Sequence, residues 1–452
     1  MQQQSGPLDV ATLVDEQPIG RLQFGVFALC AACLFLEGVD TQAISYAAPA
    51  IIKAWQVPAP SFGPVFSAGL LGLLLGVLGV GTLSDYLGRR YLAITCVAVF
   101  GLATLATVAM RDVTELLVLR LITGCALGGN IPMSYALAAE FSPARHRYVV
   151  VLMMGLGLPL GLTAAGPLAA QVVPQFGWPA IFYLGGVLPL LLAVLLAWRL
   201  PESIRFLAIR PGNRERIARL LARMYPGLGL GADAEFTATE DSRAGLTVKH
   251  LFTEGRLART LLAWTMVAMN MLTYYGLLSW LPTVITQSGL SYERAAITSS
   301  LFTLGGIFAA LTVGWIADRF NAYAVLGCLY LMGGLFAVLI GQTYTSPGLL
   351  LVIVACAGFG LIGGQNTSNP VVLGLYPTFL RATGFGWWNA VGRIGSVLGP
   401  LLGALMLSLH FSLPRLFMAC ALPASCAALA AFALIPLMRN QPQTAAAAGL
   451  KG

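Results

Sequence analysis

The chain has 452 residues, of which 58% are hydrophobic and only 10% charged, and its formal net charge at pH 7 is +8. Soluble globular proteins carry about 25% charged residues, so this composition excludes a water-soluble fold and indicates an integral membrane protein. Cytoplasmic loops of membrane proteins attract Lys and Arg, which accounts for the positive charge without a nucleic-acid partner.

The chain begins with a polar segment, residues 1–20, which lacks a basic stretch followed by an apolar core. We predict a cytoplasmic tail rather than a cleaved signal peptide. A membrane-spanning helix needs about 20 mostly apolar residues. The sequence contains twelve such runs, at 24–48, 62–83, 91–110, 115–140, 148–171, 178–199, 258–281, 296–316, 322–341, 348–376, 384–408 and 414–437. We therefore predict an all-α integral membrane fold with twelve transmembrane helices.

The longest polar stretch, residues 201–256, divides these runs six and six. The predicted domains are two six-helix bundles, 21–200 and 257–438, joined by this stretch as a cytoplasmic linker and followed by a cytoplasmic tail, 439–452. Within the linker, the basic segment Arg214–Met224 is predicted to form a surface helix, before a Gly-rich and then acidic segment.

The orientation in the membrane follows from the 26 Lys and Arg residues. With the N-terminus inside, most of them fall in cytoplasmic segments. Four fall outside: Lys53, Arg111, Arg294 and Arg415. This bias predicts that both termini are cytoplasmic.

A short motif occurs once in each half of the chain. Residues Gly81–Arg90 (GTLSDYLGRR) follow the second apolar run, and Gly314–Arg319 (GWIADR) follow the eighth. A repeat of six spans predicts two similar bundles with a substrate site between them near the midplane of the membrane.

The segment Gly81–Arg90 resembles the loop signature of the major facilitator superfamily. Further segments resemble the aromatic acid:proton symporters of that superfamily: Glu37–Gln42, Leu200–Ser203, Leu278–Thr283, Tyr376–Trp387 and Val391–Pro400. The resemblance covers nearly the whole chain and is weakest over 205–255 and at the ends. Most members have Asp at the first acidic position, whereas this chain has Glu37, as in the branch that takes 3-(3-hydroxyphenyl)propionate.

The resemblance implies proton-coupled import of a small aromatic carboxylate, of hydroxybenzoate or hydroxyphenylpropionate type, by alternating access. It implies a multi-pass protein of the bacterial inner membrane that works as a monomer without a metal or other cofactor. A drug:proton antiporter remains an alternative, because the glycines at 157, 161 and 166 partly match its motif. A sugar or dicarboxylate symporter also remains open, because the run Pro201–Ser203 occurs there too, and so does a receptor that does not transport.

An enzyme is not expected from this sequence. His146, His250 and His410 lie far apart in the predicted topology, and there is no nucleotide-binding loop of the Gly-x4-Gly-Lys type. Cys30 and Cys33 lie in an apolar run without basic neighbours, so we predict packing thiols rather than a redox or metal pair.

Two acids, Glu37 and Asp40, lie well inside the first predicted span. A charge inside a membrane costs at least about 2.5–3.5 kcal/mol and therefore needs a partner or a purpose. The two residues are three positions apart and share one helix face. Mutual repulsion and poor solvation favour the neutral form of at least one of them. We predict that this pair carries the coupled protons; the alternative is a structural pair tied to an arginine.

Two arginines also lie inside predicted spans, Arg120 in the fourth and Arg393 in the eleventh. Each guanidinium can bind a carboxylate through two hydrogen bonds. Both are candidates for the substrate site. Arg393 is predicted to contact the substrate carboxylate. Arg120 is predicted to neutralise the acids of the first span or to couple the proton site to the substrate site. The reverse assignment of the two arginines stays open. The resemblance implies that positions 120, 381 and 393 matter for transport.

The loop motif and its neighbours predict a cytoplasmic gate. Glycines make a tight turn there, and an acid such as Asp85 can pair with an arginine or a helix N-terminus. The predicted gating residues are Gly81, Asp85, Gly88, Arg89, Arg90, Glu140, Arg145, Arg147, Asp318, Arg319 and Arg381.

Aromatic and amide side chains in the apolar runs are candidates for binding the ring and polar groups of the substrate. The predicted set is Asn270, Tyr274, Tyr275, Trp280, Gln365, Asn366, Asn369, Trp387, Trp388 and Asn389. The alternatives are interfacial anchoring for the tryptophans and polar contacts between helices for the amides.

Overall fold

The computed structural model describes residues 8–210, 212–226, 236–237, 248–253, 255–343, 346–377 and 380–439, except the side chains at 81, 82, 85, 382 and 439. Within these residues, twelve helices are long and apolar enough to cross a membrane, which confirms the twelve predicted runs and the all-α membrane fold. Most of the predicted Gly-rich and acidic part of the linker, and residues 440–452 of the predicted C-terminal tail, lie outside the described residues.

The first half of the chain contains the first six spans and several short elements. Its elements are β1 (Leu8–Asp9), α1 (Val10–Glu16), α2 (Arg21–Trp55), α3 (Phe62–Leu87), α4 (Arg89–Ala106), α5 (Val113–Glu140), α6 (Ala144–Gly155), α7 (Gly157–Phe176), α8 (Pro179–Arg199), α9 (Ile204–Ile209), α10 (Arg214–Met224) and β2 (Phe236–Thr237). Helices α6 and α7 together form the fifth span, Ala144–Phe176. The N-terminal segment predicted as a plain tail therefore contains β1 and α1.

The second half contains the other six spans. Its elements are α11 (Leu257–Gln287), α12 (Tyr292–Arg319), α13 (Ala322–Thr343), α14 (Pro347–Leu375), α15 (Arg381–Ser408), α16 (Leu413–Ala419) and α17 (Ala421–Arg439). Helices α16 and α17 together form the twelfth span.

Local chemistry explains where several spans begin and end. Asp112 precedes α5, and its carboxylate accepts hydrogen bonds from the N–H groups of Thr114 and Glu115 at 2.7 and 2.9 Å, an N-cap. Gly88 has a φ of 97°, a conformation that residues with a side chain rarely adopt. Glycine at this position therefore allows α3 to end and α4 to begin immediately.

The residues cluster into two compact units. The first unit is Met1–Arg243 with Leu281–Ser300, and the second is Ala244–Trp280 with Leu301–Gly452. The segment 281–300 thus groups with the first unit, where the Tyr292 hydroxyl donates to the Tyr46 carbonyl at 2.8 Å. The predicted bundle boundaries, 21–200 and 257–438, do not anticipate this grouping, because hydropathy does not report contacts between helices.

Small residues bring α3 and α5 close together in the first unit. A Cβ added at Gly124 or Gly128 would collide with the backbone of Gly69 or Leu73 of α3. The glycines therefore allow α3 and α5 to pack tightly against each other.

The predicted surface helix is present as α10. Its apolar residues Ile217, Leu221 and Met224 are buried, whereas Arg216 and Arg219 are exposed. One apolar face therefore holds the helix on the first unit and leaves its basic face in contact with solvent.

Candidate functional site

Glu37 and Asp40 are completely buried in α2 and contact different neighbours. The Asn130 amide of α5 donates to Glu37 Oε2 at 3.3 Å. The Thr104 hydroxyl of α4 donates to Asp40 Oδ1 at 2.6 Å. The structure places both acids inside the first unit, as the sequence indicates, but gives each its own polar environment.

Arg120 lies beside Asp40 and is 3% exposed. Its Nη1 is 3.6 Å from Asp40 Oδ2, its Nη2 donates to Thr107 Oγ1 at 3.0 Å, and its guanidinium lies 5.5 Å from the centre of the Phe182 ring. Of the roles considered for Arg120, these contacts favour neutralisation of a span-one acid over direct contact with substrate. A buried pair of this kind is costly to break, since either partner alone would be an uncompensated charge.

Four residues of this cluster are absent from the sequence-based prediction: Thr104, Thr107, Asn130 and Phe182. Thr104 and Thr107 lie three positions apart in the third span, and Asn130 is an amide in an apolar helix. Polar side chains in a membrane span rarely face lipid, and this signal could have identified all but Phe182.

In the second unit, the predicted amides separate into a buried pair and more accessible residues. Asn270 of α11 is fully buried, and its Nδ2 donates to Gln365 Oε1 at 3.1 Å and to the Leu361 carbonyl at 3.3 Å. Asn366 is exposed and Asn369 half-buried. The contacts of Asn270 favour a polar contact between α11 and α14.

Arg393 of α15 is half-buried, and its Nη1 approaches the Tyr275 hydroxyl at 3.5 Å. The rings of Tyr274 and Tyr275 are 4.6 Å apart, and Tyr274 also packs against Phe302 at 5.9 Å. Asn389 lies one turn before Arg393 and is half-buried. Among the described side chains, no carboxylate forms an ion pair with Arg393. The structure therefore brings a cation and two aromatic rings together within this unit.

The predicted tryptophans have different surroundings. Trp280 is 2% exposed, and its Nε1 donates to the Pro400 carbonyl at 2.9 Å, which ties α11 to α15. Trp388 is fully buried against Phe385. Trp387 is 42% exposed and stacks on Trp264 at 6.2 Å. Helix packing accounts for Trp280 and Trp388, and Trp387 remains accessible.

Part of the predicted gate forms a connected polar cluster in the first unit. Arg89 forms an ion pair with Glu140, which also accepts from the Ser203 hydroxyl. The N–H of Arg90 donates to Glu202 Oε1 at 3.0 Å, so this carboxylate lies at the N-terminus of α4. Gly88 fits beside it, because an added Cβ would lie 2.7 Å from Glu202 Oε2.

A second part of the gate involves the N-terminal helix. Arg147 Nη2 is 3.1 Å from Asp15 Oδ1, and the same oxygen accepts from the N–H of Ala144 at 2.7 Å. Arg145 Nη2 reaches the Gln17 carbonyl at 3.4 Å. No sequence motif connects Asp15 with the gate, because that acid lies in a polar segment far from the loop motif.

Three further predicted gate residues, Asp318, Arg319 and Arg381, belong to the second unit and are exposed. The Arg319 guanidinium lies over the Trp315 ring at 3.9 Å, and Arg381 Nε donates to the Tyr376 carbonyl at 3.3 Å. Gly81 and Asp85 were also predicted, but their side chains lie outside the described part of the structure.

The eight cysteines are free, and Cys30 and Cys33 are buried in the apolar core of the first unit. No group of three or more His, Cys, Asp or Glu among these residues could hold a metal ion.

The amino-acid sequence was compared with known protein families and with individual proteins. The sequence matches the Major Facilitator Superfamily over residues 30–397 and 299–451. It is 38% identical over 424 residues to the 4-hydroxybenzoate transporter PcaK of Pseudomonas aeruginosa, covering 94% of this chain and 95% of the relative. It is 40% identical over 428 residues to a gallate transporter of Pseudomonas putida, with 94% and 95% covered.

A more distant relative and a solved structure agree with this result. The chain is 33% identical over 381 residues to the 3-(3-hydroxy-phenyl)propionate transporter of Escherichia coli, covering 84% of this chain and 86% of the relative. Its fold is similar to the crystal structure of a D-xylose-proton symporter, with a TM-score of 0.71, 16% identity, and 90% and 97% of the two chains covered.

Proposed function

The chain belongs to the Major Facilitator Superfamily, and we propose that it imports a small aromatic carboxylate across the bacterial cytoplasmic membrane together with protons. As a member of this superfamily with twelve membrane spans, it is a transporter rather than an enzyme. Relatives named for 4-hydroxybenzoate, gallate and 3-(3-hydroxyphenyl)propionate support the substrate class, since each of these compounds has a ring and a carboxylate.

Arg393 is the observation that carries the proposed substrate class. A half-buried arginine in a membrane span is costly without an anion, and no described carboxylate pairs with it. The substrate carboxylate would supply that anion through two hydrogen bonds from the guanidinium. Tyr274 and Tyr275 would contact the substrate ring, and Asn389 or Asn369 would bind ring hydroxyl groups.

Asp40 is the proposed proton carrier. Its carboxylate is held by Thr104 and faces Arg120 at 3.6 Å. A proton from outside would add to this carboxylate and cancel one charge of the buried pair, which weakens the attraction between α2 and α5. Loss of the proton to the cytoplasm would restore the pair. Glu37, in contact with Asn130, would act as a second group on the same path.

The polar cluster around Glu140 and Arg147 is the proposed cytoplasmic gate. Its ion pairs, Arg89 with Glu140 and Arg147 with Asp15, would break and re-form as the transporter cycles. Asp318, Arg319 and Arg381 would act at the corresponding ends of the second unit. We propose that the protein works as a monomer, with both termini in the cytoplasm.

The test is uptake into liposomes that contain the purified full-length protein. Labelled 4-hydroxybenzoate, gallate and 3-(3-hydroxyphenyl)propionate are supplied with and without an inward proton gradient. We expect gradient-driven accumulation of at least one of them, and its loss in Asp40→Asn. Arg393→Ala should raise the KM at least about tenfold, since it removes a charge-assisted contact, whereas Arg393→Lys should retain part of the affinity.

Arg415→Ala serves as a matched control, because Arg415 is exposed and lies in a predicted external loop. Uptake that only equilibrates would contradict proton coupling. Expulsion of preloaded compounds would point to an antiporter, and uptake of sugars or dicarboxylates instead would contradict the substrate class.

A further inference from the structure

Two threonines of the third span, Thr104 and Thr107, each hold one member of the buried ion pair. Thr104 donates to Asp40 Oδ1 at 2.6 Å, and Thr107 accepts from Arg120 Nη2 at 3.0 Å. Both threonines are at most 1% exposed. They lie three positions apart and therefore on neighbouring parts of one helix face.

The direction of each hydrogen bond fits the charge of the group it holds. The hydroxyl of Thr107 donates to the Ala103 carbonyl at 3.1 Å, so its oxygen is left to accept from the arginine. The hydroxyl of Thr104 instead gives its hydrogen to the carboxylate. One residue type thus acts as a donor to the anion and as an acceptor for the cation.

The two oxygens of Asp40 differ as a result. Oδ1 accepts from Thr104, whereas Oδ2 has no hydrogen-bond partner among the described residues and faces Arg120 Nη1 at 3.6 Å. This separation is longer than a hydrogen bond. When a proton reaches the Asp40 carboxylate, Oδ1 is therefore already hydrogen-bonded to Thr104, and Oδ2 is available to bind the proton.

We propose that Thr104 and Thr107 are positioning residues for proton coupling, an inference that rests on the proposed role of Asp40. Thr104 holds Asp40 so that the proton binds at Oδ2, forming an O–H bond without displacing the threonine. Thr107, with the Phe182 ring, holds Arg120 in place while Asp40 is neutral. The ion pair can then break and re-form without either side chain leaving its position.

Within the described part of the chain, several neighbouring groups can influence the protonation of Asp40. From α5 the charged group that faces it is Arg120, and from α8 Gly185 lies close, since an added Cβ there would be 3.7 Å from Asp40 Oδ1. Helix α7 packs against α2 at Gly38 through its backbone. Glu37, on the same helix, contacts Asn130. Cys33, Cys96 and Tyr135 are among the ionisable residues that interact with Glu37.

The decisive experiment follows the infrared band of the protonated Asp40 carboxyl as pH is varied, using the full-length protein in liposomes. The band is assigned by its loss in Asp40→Asn. In Thr104→Val, which removes a hydrogen bond to the charged form, we expect the band to titrate about one to two pH units higher than in the wild type. Thr104→Ser, which keeps the hydroxyl, should titrate as the wild type does.

Thr107→Val should shift the titration in the opposite direction, because Arg120 then has only Asp40 as an acceptor. Thr123→Val is the matched control: Thr123 is equally buried, and its hydroxyl donates only to the Leu119 carbonyl of its own helix. Should Thr104→Val fail to purify as a folded protein, Thr104→Ala carries the same expectation.

Uptake measured in the same liposomes separates this inference from the proposed function. If the wild type accumulates substrate under a gradient and Thr104→Val titrates as the wild type does, the positioning role is wrong and the function stands. If the infrared shift appears but the wild type shows no gradient-driven uptake, the proposed function fails and the positioning role stands. A shift of Thr107→Val in the same direction as Thr104→Val would overturn the role of Thr107.

Discussion

At the scale of single residues, burial of charge is the main constraint on this protein. Asp40 and Arg120 are almost completely removed from solvent, yet each has a second polar partner on the third span. Such partners reduce the cost of placing an ion in an apolar environment, which is several kcal/mol for each unpaired charge. The two hydroxyl groups of the third span therefore help to hold this pair inside the membrane.

Removing one member of this pair should destabilise the protein more than removing both charges. Arg120→Leu leaves Asp40 buried without its counter-ion, and we expect a loss of about 3–5 kcal/mol. Combining it with Asp40→Asn should recover most of this loss. Thermal unfolding of the purified variants in detergent measures both effects, and a double variant no more stable than Arg120→Leu would contradict the pairing.

A second prediction at this scale concerns Gly88. Gly88→Ala would place a side chain at a φ of 97° and a Cβ 2.7 Å from Glu202 Oε2. We expect the stability to fall by about 1–3 kcal/mol, together with loss of the carboxylate contact at the N-terminus of α4. Gly25→Ala in α2 is the control, since nothing lies within 4 Å of its added Cβ. Equal melting temperatures for the two variants would refute this account.

At the scale of elements, the N-terminal segment is more than a tail. Strand β1 pairs in parallel with β2, with Leu8 opposite Phe236, and α1 ends beside Arg147. The side chains of Val10 and Val14 are buried in the core of the first unit. Residues 8–16 thus connect the start of the chain to both the linker and the predicted gate.

Asp15→Asn should loosen α1 without unfolding the protein. Asp15 and Arg147 are partly exposed, so their ion pair contributes about 0.2–1 kcal/mol. Hydrogen exchange of the backbone amides in residues 10–16 should become about two- to fivefold faster, with little change in the overall melting temperature. The control is Glu16→Gln at the adjacent exposed position. Unchanged exchange in Asp15→Asn would show that apolar packing alone holds α1.

At the scale of the whole molecule, the basic residues predict how the chain lies in the membrane. A fluorescent-protein fusion after residue 439 should fluoresce in cells, because the predicted C-terminus is cytoplasmic. A periplasmic alkaline phosphatase inserted next to Arg111 should be active, because that loop is predicted to be external. Activity of the phosphatase at the C-terminus, with loss of fluorescence, would invert the predicted topology.

The twelve spans, the all-α membrane fold and the family can all be predicted from the amino-acid sequence alone. These properties are local. About 20 consecutive apolar residues specify a span wherever they occur, and a sequence motif is recognised from its own residues without knowledge of the fold. The types of residue that carry the chemistry were also visible, because a charge such as Asp40 or Arg393 is conspicuous in an apolar run.

The partner of each of these side chains, in contrast, depends on how the helices pack and is visible only in the folded protein. Thr104 and Asp40 are 64 positions apart and Asn130 and Glu37 are 93 apart, yet each pair forms a hydrogen bond. Asn270 and Trp280 each form a hydrogen bond that joins two helices, and the sequence does not predict these partners. Such contacts depend on how helices rotate and pack against one another, and a helix face that is polar in sequence is equally compatible with a ligand or with a neighbouring helix.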